Sequence, residues 1–201
     1  MLRALVLYSA SSVLFLSMEH AVDVVFLVRT VGLPATGIGL LYALGGTGAV
    51  LGALVAPAAS RRLGQITTIL AAAVTTDAAL LLIPLTGRGG RLAFYAVGCA
   101  LSSCAIVVFN IVSVTYRQTL CPDHLLGRMN ATMRFLAWGT IPAGGLLGGV
   151  IGSAMGLRTT LWISAAGCVA SLAWLFAWFA KGRTPAAPLP PTEDRLEPAL
   201  D

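Results

Sequence analysis

The sequence predicts an all-α membrane protein with six transmembrane helices. Of its 201 residues, 57% are hydrophobic and only 10% are charged, and the mean hydropathy is +0.87. A soluble domain carries about 25% charged residues, so this composition cannot supply a water-facing surface. Crossing the hydrocarbon core of a bilayer takes about 20 residues of apolar helix. Six stretches reach that length, at 5–28, 36–58, 66–86, 92–116, 132–154 and 158–180.

The distribution of basic residues predicts the orientation. Six spans place both termini on one side of the membrane, and nine of the 13 Lys and Arg residues would lie on that side. These nine are Arg3, Arg61, Arg62, Arg117, Arg128, Arg134, Lys181, Arg183 and Arg195. Because basic residues concentrate in cytoplasmic loops, both termini are expected in the cytoplasm. The net charge of +5 therefore reflects topology and does not indicate nucleic-acid binding.

Two segments outside the spans have their own character. The loop at 117–134 joins spans four and five and is expected to contain a short interfacial helix that starts near Asp123, after Pro122. The segment 181–201 has five prolines among its last seventeen residues and predicts a disordered cytoplasmic tail. The four cysteines show no paired spacing, so no metal site and no cofactor are expected.

The first span carries three ionisable side chains in the segment SMEHAVDVVFL. At about 100° per residue, Glu19, His20 and Asp23 fall on one arc of the helix, together with Ser9 and Ser12. The opposite side is apolar and is expected to face lipid, through Leu14, Met18, Ala21, Val25 and Val28. A charge at mid-span costs about 2.5 kcal/mol or more, so the polar arc should face protein or a water-filled cavity.

The polar arc has three interpretations. It could be a proton or substrate site on a transport pathway, or a buried structural network in which His20 pairs with Asp23. A metal site is a third alternative, which the absence of another histidine from the spans disfavours. Asp77 in span three raises a similar choice between a coupling role and a hydrogen bond to a neighbouring threonine or backbone group.

A second polar face and two glycine ridges complete the pattern. Ser103, Asn110 and Ser113 share one face of span four that leads to Arg117, and they predict a second cavity wall. Small residues four apart allow close helix contact in lipid. They occur in spans two and five as Gly48, Gly52, Gly144, Gly148 and Gly152. These ridges predict close packing inside the bundle, a docking surface for another membrane module, or both on different faces.

The passages GGTGAVLGALVAPAASRRLG and NIVSVTYRQTLCPDHLLGRMNATMRFLAWGTIPAGGLLGG give the chain a family resemblance. Over residues 2–180 it resembles the C-terminal six-helix half of a major facilitator superfamily transporter, of the bacterial branch that exports drugs and siderophores. The resemblance implies that spans one and four line a central cavity and that spans two and five meet the other half. It also places span three at the periphery, which weakens the case for Asp77. Gating from the cytoplasmic loops is implied for Arg61, Arg62, Arg117, Arg128 and Arg134.

The resulting expectation is a bacterial inner-membrane protein that exports a small organic molecule by proton-coupled alternating access, as one half of a transporter. Glu19 is expected to carry the proton and His20 and Asp23 to tune it, while Ser103 and Asn110 contact substrate. A second six-helix half or a second copy is the expected partner. The alternative is a truncated or non-transporting membrane interaction module. An enzyme is not expected, because no HExxH or GxSxG motif occurs.

Overall fold

The computed structural model describes residues 2–120 and 123–180, so the predicted tail at 181–201 lies outside the described residues. Within this part the chain forms seven α-helices. They are α1 (Leu2–Phe26), α2 (Ala35–Leu63), α3 (Gln65–Leu80), α4 (Leu92–Leu120), α5 (Asp123–Trp138), α6 (Ile141–Met155) and α7 (Leu157–Ala180). A π-helical turn, Leu27–Val31, extends α1, and two short 3₁₀ turns, Ile83–Leu85 and Gly89–Arg91, lie between α3 and α4.

Six helical segments are long and apolar enough to cross a membrane, counted over the described residues. They are Arg3–Val31, Ala35–Leu63, Gln65–Leu85, Gly89–Thr119, Asn130–Met155 and Leu157–Trp178. This finding confirms the predicted all-α architecture with six transmembrane helices.

The fifth spanning segment is interrupted, whereas the sequence predicted one span at 132–154. Helix α5 ends at Trp138, a turn follows at Gly139 and Thr140, and α6 begins at Ile141. Pro142 is the cause, because its nitrogen has no proton to donate to the carbonyl of Trp138 one turn earlier. Proline is well tolerated in the first turn of the helix that follows.

The predicted cytoplasmic loop at 117–134 is mostly helical in the structure. Helix α4 continues to Leu120, and α5 begins at Asp123 and runs without a break into the fifth spanning segment. The start at Asp123 agrees with the predicted helix, but that helix is sixteen residues long and is no separate interfacial element. Alanine, leucine and methionine, all strong helix formers, continue the helix through this polar stretch.

Glycine allows the chain to reverse direction sharply between two pairs of consecutive helices. Gly64 between α2 and α3 and Gly156 between α6 and α7 have φ angles of 80° and 89°. Residues with a Cβ adopt this left-handed region at a cost, whereas glycine does so freely. Each glycine therefore allows one helix to end and the next to begin with no intervening loop.

The helices pack as two groups around α1 and α4. Helix α1 packs against α5, α6 and α7, while α4 packs against α2 and α3. Contacts of α3 with α7 and with α2 help to join the bundle. The backbones of α1 and α4 stay further apart, although side chains connect them, such as the rings of Tyr8 and Phe109, whose centroids are 5.3 Å apart. Two cavities lie between the two helices.

The predicted glycine ridges pack inside this chain. A Cβ at Gly48 or Gly52 in α2 would overlap the backbone of Ala100 or Cys104 in α4. In α6, a Cβ at Gly144 or Gly148 would overlap the backbone of α1 at Leu14 or Met18, and one at Gly152 would crowd the side chain of Val22. The sequence left open whether these five glycines pack inside the bundle or form a docking surface for another module. In the structure they pack inside the bundle.

The packing of α6 corrects the face of α1 that was assigned to lipid. Met18 is only 2% exposed, and Leu14 and Met18 lie against the glycines of α6. Ala21 also contacts Gly148 but is itself exposed. Val25 and Val28 are exposed, as predicted. An apolar helix face does not show by itself whether it meets lipid or another helix. A glycine-rich helix face is apolar, as lipid is, so apolar side chains suit either neighbour.

Candidate functional site

The first cavity, called here the Glu19 cavity, lies between α1, α2 and α4 and has a volume of about 270 Å³. Glu19, His20 and Asp23 line it from α1, Tyr42 from α2, and Tyr95, Cys99, Ser102 and Ser103 from α4. The three ionisable residues of the predicted polar arc of α1 therefore line one cavity.

Asp23 is the most tightly held group in this cavity. Its Oδ2 atom accepts hydrogen bonds from the hydroxyls of Tyr95, at 2.6 Å, and Tyr42, at 2.9 Å. Asp23 is 3% exposed, and its Oδ1 atom is buried with no hydrogen-bond partner among the described residues. The carboxyl group thus links α1 to α2 and α4, and the predicted alternative pairing with His20 is not formed.

Glu19 has a different environment. Its side chain is 6% exposed, lines the cavity and has no hydrogen bond to any residue of the described ranges. His20 lines the same cavity and is exposed. Asp23 is thus fixed by two donors, whereas the Glu19 carboxyl is free to form new bonds.

The second cavity, called here the Asp77 cavity, lies nearer the chain's N-terminus and has a volume of about 210 Å³. Its polar lining combines hydroxyl, carboxyl, amide and guanidinium groups. These come from Tyr8, Ser9, Ser12, Thr76, Asp77, Asn110, Ser113, Arg117 and Arg134. The remainder is mostly apolar, including Phe109 and Trp138.

Asp77 is 1% exposed at the wall of this cavity. The Tyr8 hydroxyl lies 3.5 Å from its Oδ1 atom and 3.4 Å from its Oδ2 atom. The side chain therefore faces the interior, although the family resemblance implied a peripheral position for its helix. Its partner is a tyrosine from α1 rather than the predicted neighbouring threonine or backbone group.

The end of the Asp77 cavity near Arg117 carries two arginines. Arg117 donates from Nε to the Ser113 carbonyl oxygen, at 3.1 Å, and from Nη1 to Met133 Sδ, at 2.8 Å. Arg134 lies over the ring of Trp138, 4.5 Å from its centroid. Two of the predicted gating arginines therefore line a cavity. Arg61 and Arg62 are exposed in the last turn of α2, and Arg128 is exposed in α5.

Three apolar side chains line both cavities: Leu16 of α1, Leu80 of α3 and Ile106 of α4. We call them the apolar septum. They separate the predicted substrate contacts of α4, because Ser103 lines the Glu19 cavity and Asn110 lines the Asp77 cavity. The single polar face predicted for this helix is therefore divided in two.

Three tyrosines complete the site and were not singled out from the sequence. Tyr95 precedes Cys99 and Ser103 by four and eight residues, so an extension of the polar face of α4 could have included it. Tyr8 lies four residues before Ser12 on the polar side of α1, a similar signal. The sequence contains no comparable signal for Tyr42, because only the packing of α2 brings its hydroxyl to Asp23.

Within residues 2–120 and 123–180, no three His, Cys, Asp or Glu side chains come together as a possible metal site. The described cysteines Cys99, Cys104 and Cys168 are free thiols. Of the acidic groups that line the two cavities, Asp23 and Asp77 have tyrosine hydroxyls as partners.

Comparison with known proteins gives one match. The model of the family described as transmembrane secretion effector, a family of the major facilitator type, matches residues 1–195. No curated protein and no solved structure matches the chain.

Proposed function

The chain belongs to the transmembrane secretion effector family of major facilitator transporters, and from this premise we propose that it exports a small organic molecule in exchange for protons. A multi-pass membrane protein of this type contacts the bilayer through its six spanning helices. The family consists of transporters, and we propose no catalytic activity for this chain.

The free carboxyl of Glu19 is the observation that carries the proposal. It is almost fully buried in a membrane-spanning helix, yet no described residue donates a hydrogen bond to it. A buried carboxylate without partners is costly in such a place, whereas the protonated form is neutral. Glu19 is therefore suited to bind a proton when its cavity is closed and to release it when water or substrate enters.

Asp23 and His20 serve Glu19 in this proposal. Two tyrosine hydroxyls hold Asp23 one turn from Glu19. Asp23 therefore keeps its position while Glu19 binds and releases a proton. His20 is exposed at the same cavity, and we propose that its ring forms hydrogen bonds there with water or with Glu19. We propose that Ser103 and Asn110 contact substrate in turn, one on each side of the apolar septum.

The transport cycle requires a second six-helix unit. In transporters of this architecture, two such units rock about a site near the middle of the membrane. We propose that the partner is a separate half or a second copy of this chain. The five buried glycines hold this unit together, so the partner would contact other faces, such as the side of α6 with Gly145 and Gly149, where a Cβ would meet open space.

The proposed location is the inner membrane of a bacterium, with both termini in the cytoplasm. This orientation follows from the basic residues, which include the exposed Arg61, Arg62 and Arg128. We propose that these three arginines contribute to gating on the cytoplasmic side together with Arg117 and Arg134.

Replacement of Glu19 by glutamine tests the proposal. In everted membrane vesicles containing the complete transporter, an imposed pH gradient should drive the movement of at least one dye in a panel of lipophilic fluorescent compounds. Glu19→Gln should abolish this movement, because the amide has a similar shape but cannot release a proton. Counterflow of the same dye without a pH gradient should persist.

The matched control is Glu19→Asp, which keeps a carboxyl and should retain part of the pH-driven transport. Unchanged pH-driven transport by Glu19→Gln would refute the assignment of this residue. If no dye moves with the unaltered protein and its partner present, the alternative of a non-transporting interaction module is favoured.

A further inference from the structure

We propose that Asp77 is a second proton-binding site, reached from the end of the bundle where Arg117 lies and separated from Glu19 by the apolar septum. This inference goes beyond the proposed function. It concerns a different carboxyl group in a different cavity and holds whether or not Glu19 drives transport.

The surroundings of Asp77 favour its protonated form. The side chain is 1% exposed, and the Tyr8 hydroxyl is the only hydrogen-bond donor to it within the described ranges, at 3.4 and 3.5 Å. Hydroxyl hydrogen bonds are usually 2.5–3.0 Å long, so this donor gives weak support to a charge. An ionised carboxyl group in such a place would lack the partners that buried charges need.

The cavity provides a route by which a proton can arrive. A water molecule needs about 10–15 Å³ of accessible volume and two to four polar partners. The Asp77 cavity has about 210 Å³, enough for several waters. Ser12 and Ser113 line it, and the Oγ atoms of both are buried without a partner in the part of the chain that the structure describes. Waters that satisfy these hydroxyls would connect Asp77 with the end of the cavity at Arg117.

The charges around the cavity suit a proton that is bound and later released. Besides Asp77, the described titratable and charged groups that face it are Tyr8 from α1, Arg117 from α4, Arg134 from α5 and Cys168 from α7, and none of these is a second carboxyl. Arg117 donates one N–H to the sulfur of Met133, which is a weak acceptor. A carboxylate is a stronger acceptor, so Arg117, which lines the same cavity, is a candidate partner for Asp77 in its ionised form.

The septum keeps the two carboxyl groups apart. Leu16, Leu80 and Ile106 offer no hydrogen-bonding side chain to carry a proton between the cavities. Apolar constrictions of this kind exclude water and act as barriers in membrane pathways. Asp77 and Glu19 therefore bind protons independently in this arrangement, each from its own cavity.

Infrared difference spectroscopy of the complete chain in lipid nanodiscs tests the proposal without a substrate. A pH change should alter carboxylic-acid C=O bands that include one from Asp77 and one from Glu19. Asp77→Asn should remove one band and Glu19→Gln the other. Tyr8→Phe should shift the frequency of the Asp77 band without removing it, because the carboxyl stays and its hydrogen bond is lost.

Thr76→Val is the matched control, since it alters a buried neighbour of Asp77 and leaves every carboxyl in place. Its spectrum should retain both bands. An Asp77→Asn spectrum identical to that of the unaltered protein would overturn the proposal, as would a single band lost in both carboxyl variants. If Asp77→Asn does not fold, Tyr8→Phe becomes the test of the assignment. A Tyr8→Phe spectrum with no shifted band would contradict it. A failure of Glu19 in the transport assay would leave this result unaffected.

Discussion

At the scale of single residues, the two acidic groups of the Glu19 cavity differ in their hydrogen-bond partners. Asp23 has two tyrosine donors on one oxygen, whereas Glu19 has none among the described residues. A carboxyl group fixed by hydrogen bonds is a good structural anchor, and one without them can change its protonation at lower cost. The sequence placed both on one arc, but only the packing of their neighbours gives them different surroundings.

The Asp23 network predicts unequal effects for two similar substitutions. Tyr95 is 2% exposed and Tyr42 is 45% exposed. Tyr95→Phe should lower the free energy of unfolding by about 1–3 kcal/mol, because it leaves a buried carboxyl with one donor fewer. Tyr42→Phe should cost less, since water can replace the lost hydroxyl. Thermal unfolding in lipid nanodiscs measures both, and equal losses would contradict this account of the network.

At the scale of helices, glycines on α2 and α6 act in pairs of neighbours with opposite surroundings. Gly48 faces the backbone of α4, whereas a Cβ at Gly46 would have nothing within 4 Å. Gly148 and Gly149 on α6 differ in the same way, with α1 as the neighbour. Close approach of two backbones is therefore confined to one side of each helix, as small-residue ridges require.

Alanine substitutions at these positions should have opposite signs. Gly48→Ala and Gly148→Ala should destabilise the bundle by about 1–3 kcal/mol, because the new methyl group forces the helices apart. Gly46→Ala and Gly149→Ala meet open space and should gain up to about 1 kcal/mol from the higher helix propensity of alanine. Unfolding midpoints of the four variants check this prediction. Losses of similar size on both sides would show that the ridges are not specific to one face.

At the scale of the whole molecule, the basic residues predict a single orientation in the membrane. Arg62 lies in the last turn of α2, at the end predicted to be cytoplasmic, and Arg91 ends the 3₁₀ turn before α4, at the opposite end. Both side chains are exposed. In a chain without its native cysteines, Arg91→Cys should react with an impermeant maleimide on intact cells. Arg62→Cys should react only after the membrane is opened, and the reverse pattern would invert the proposed topology.

The sequence alone determined the class of protein, the approximate helical spans and the polar arc of α1. These follow from hydropathy and from the 3.6-residue period of the helix, which are properties of neighbouring residues along the chain. Local pattern was less reliable at 117–134, where polar residues indicated a loop and the chain is mostly helical. It was also insufficient for Leu14 and Met18, which meet glycines of α6 instead of lipid.

Only the tertiary structure decided which groups meet. The donors to Asp23 lie 19 and 72 residues away in the sequence, and Tyr8 lies 69 residues from Asp77. The same packing divides Ser103 from Asn110 with an apolar septum and places Asp77 in the interior. The physical reason is that hydrogen bonds between helices and the shapes of cavities depend on how helix faces approach one another, which the periodicity of each separate helix does not specify.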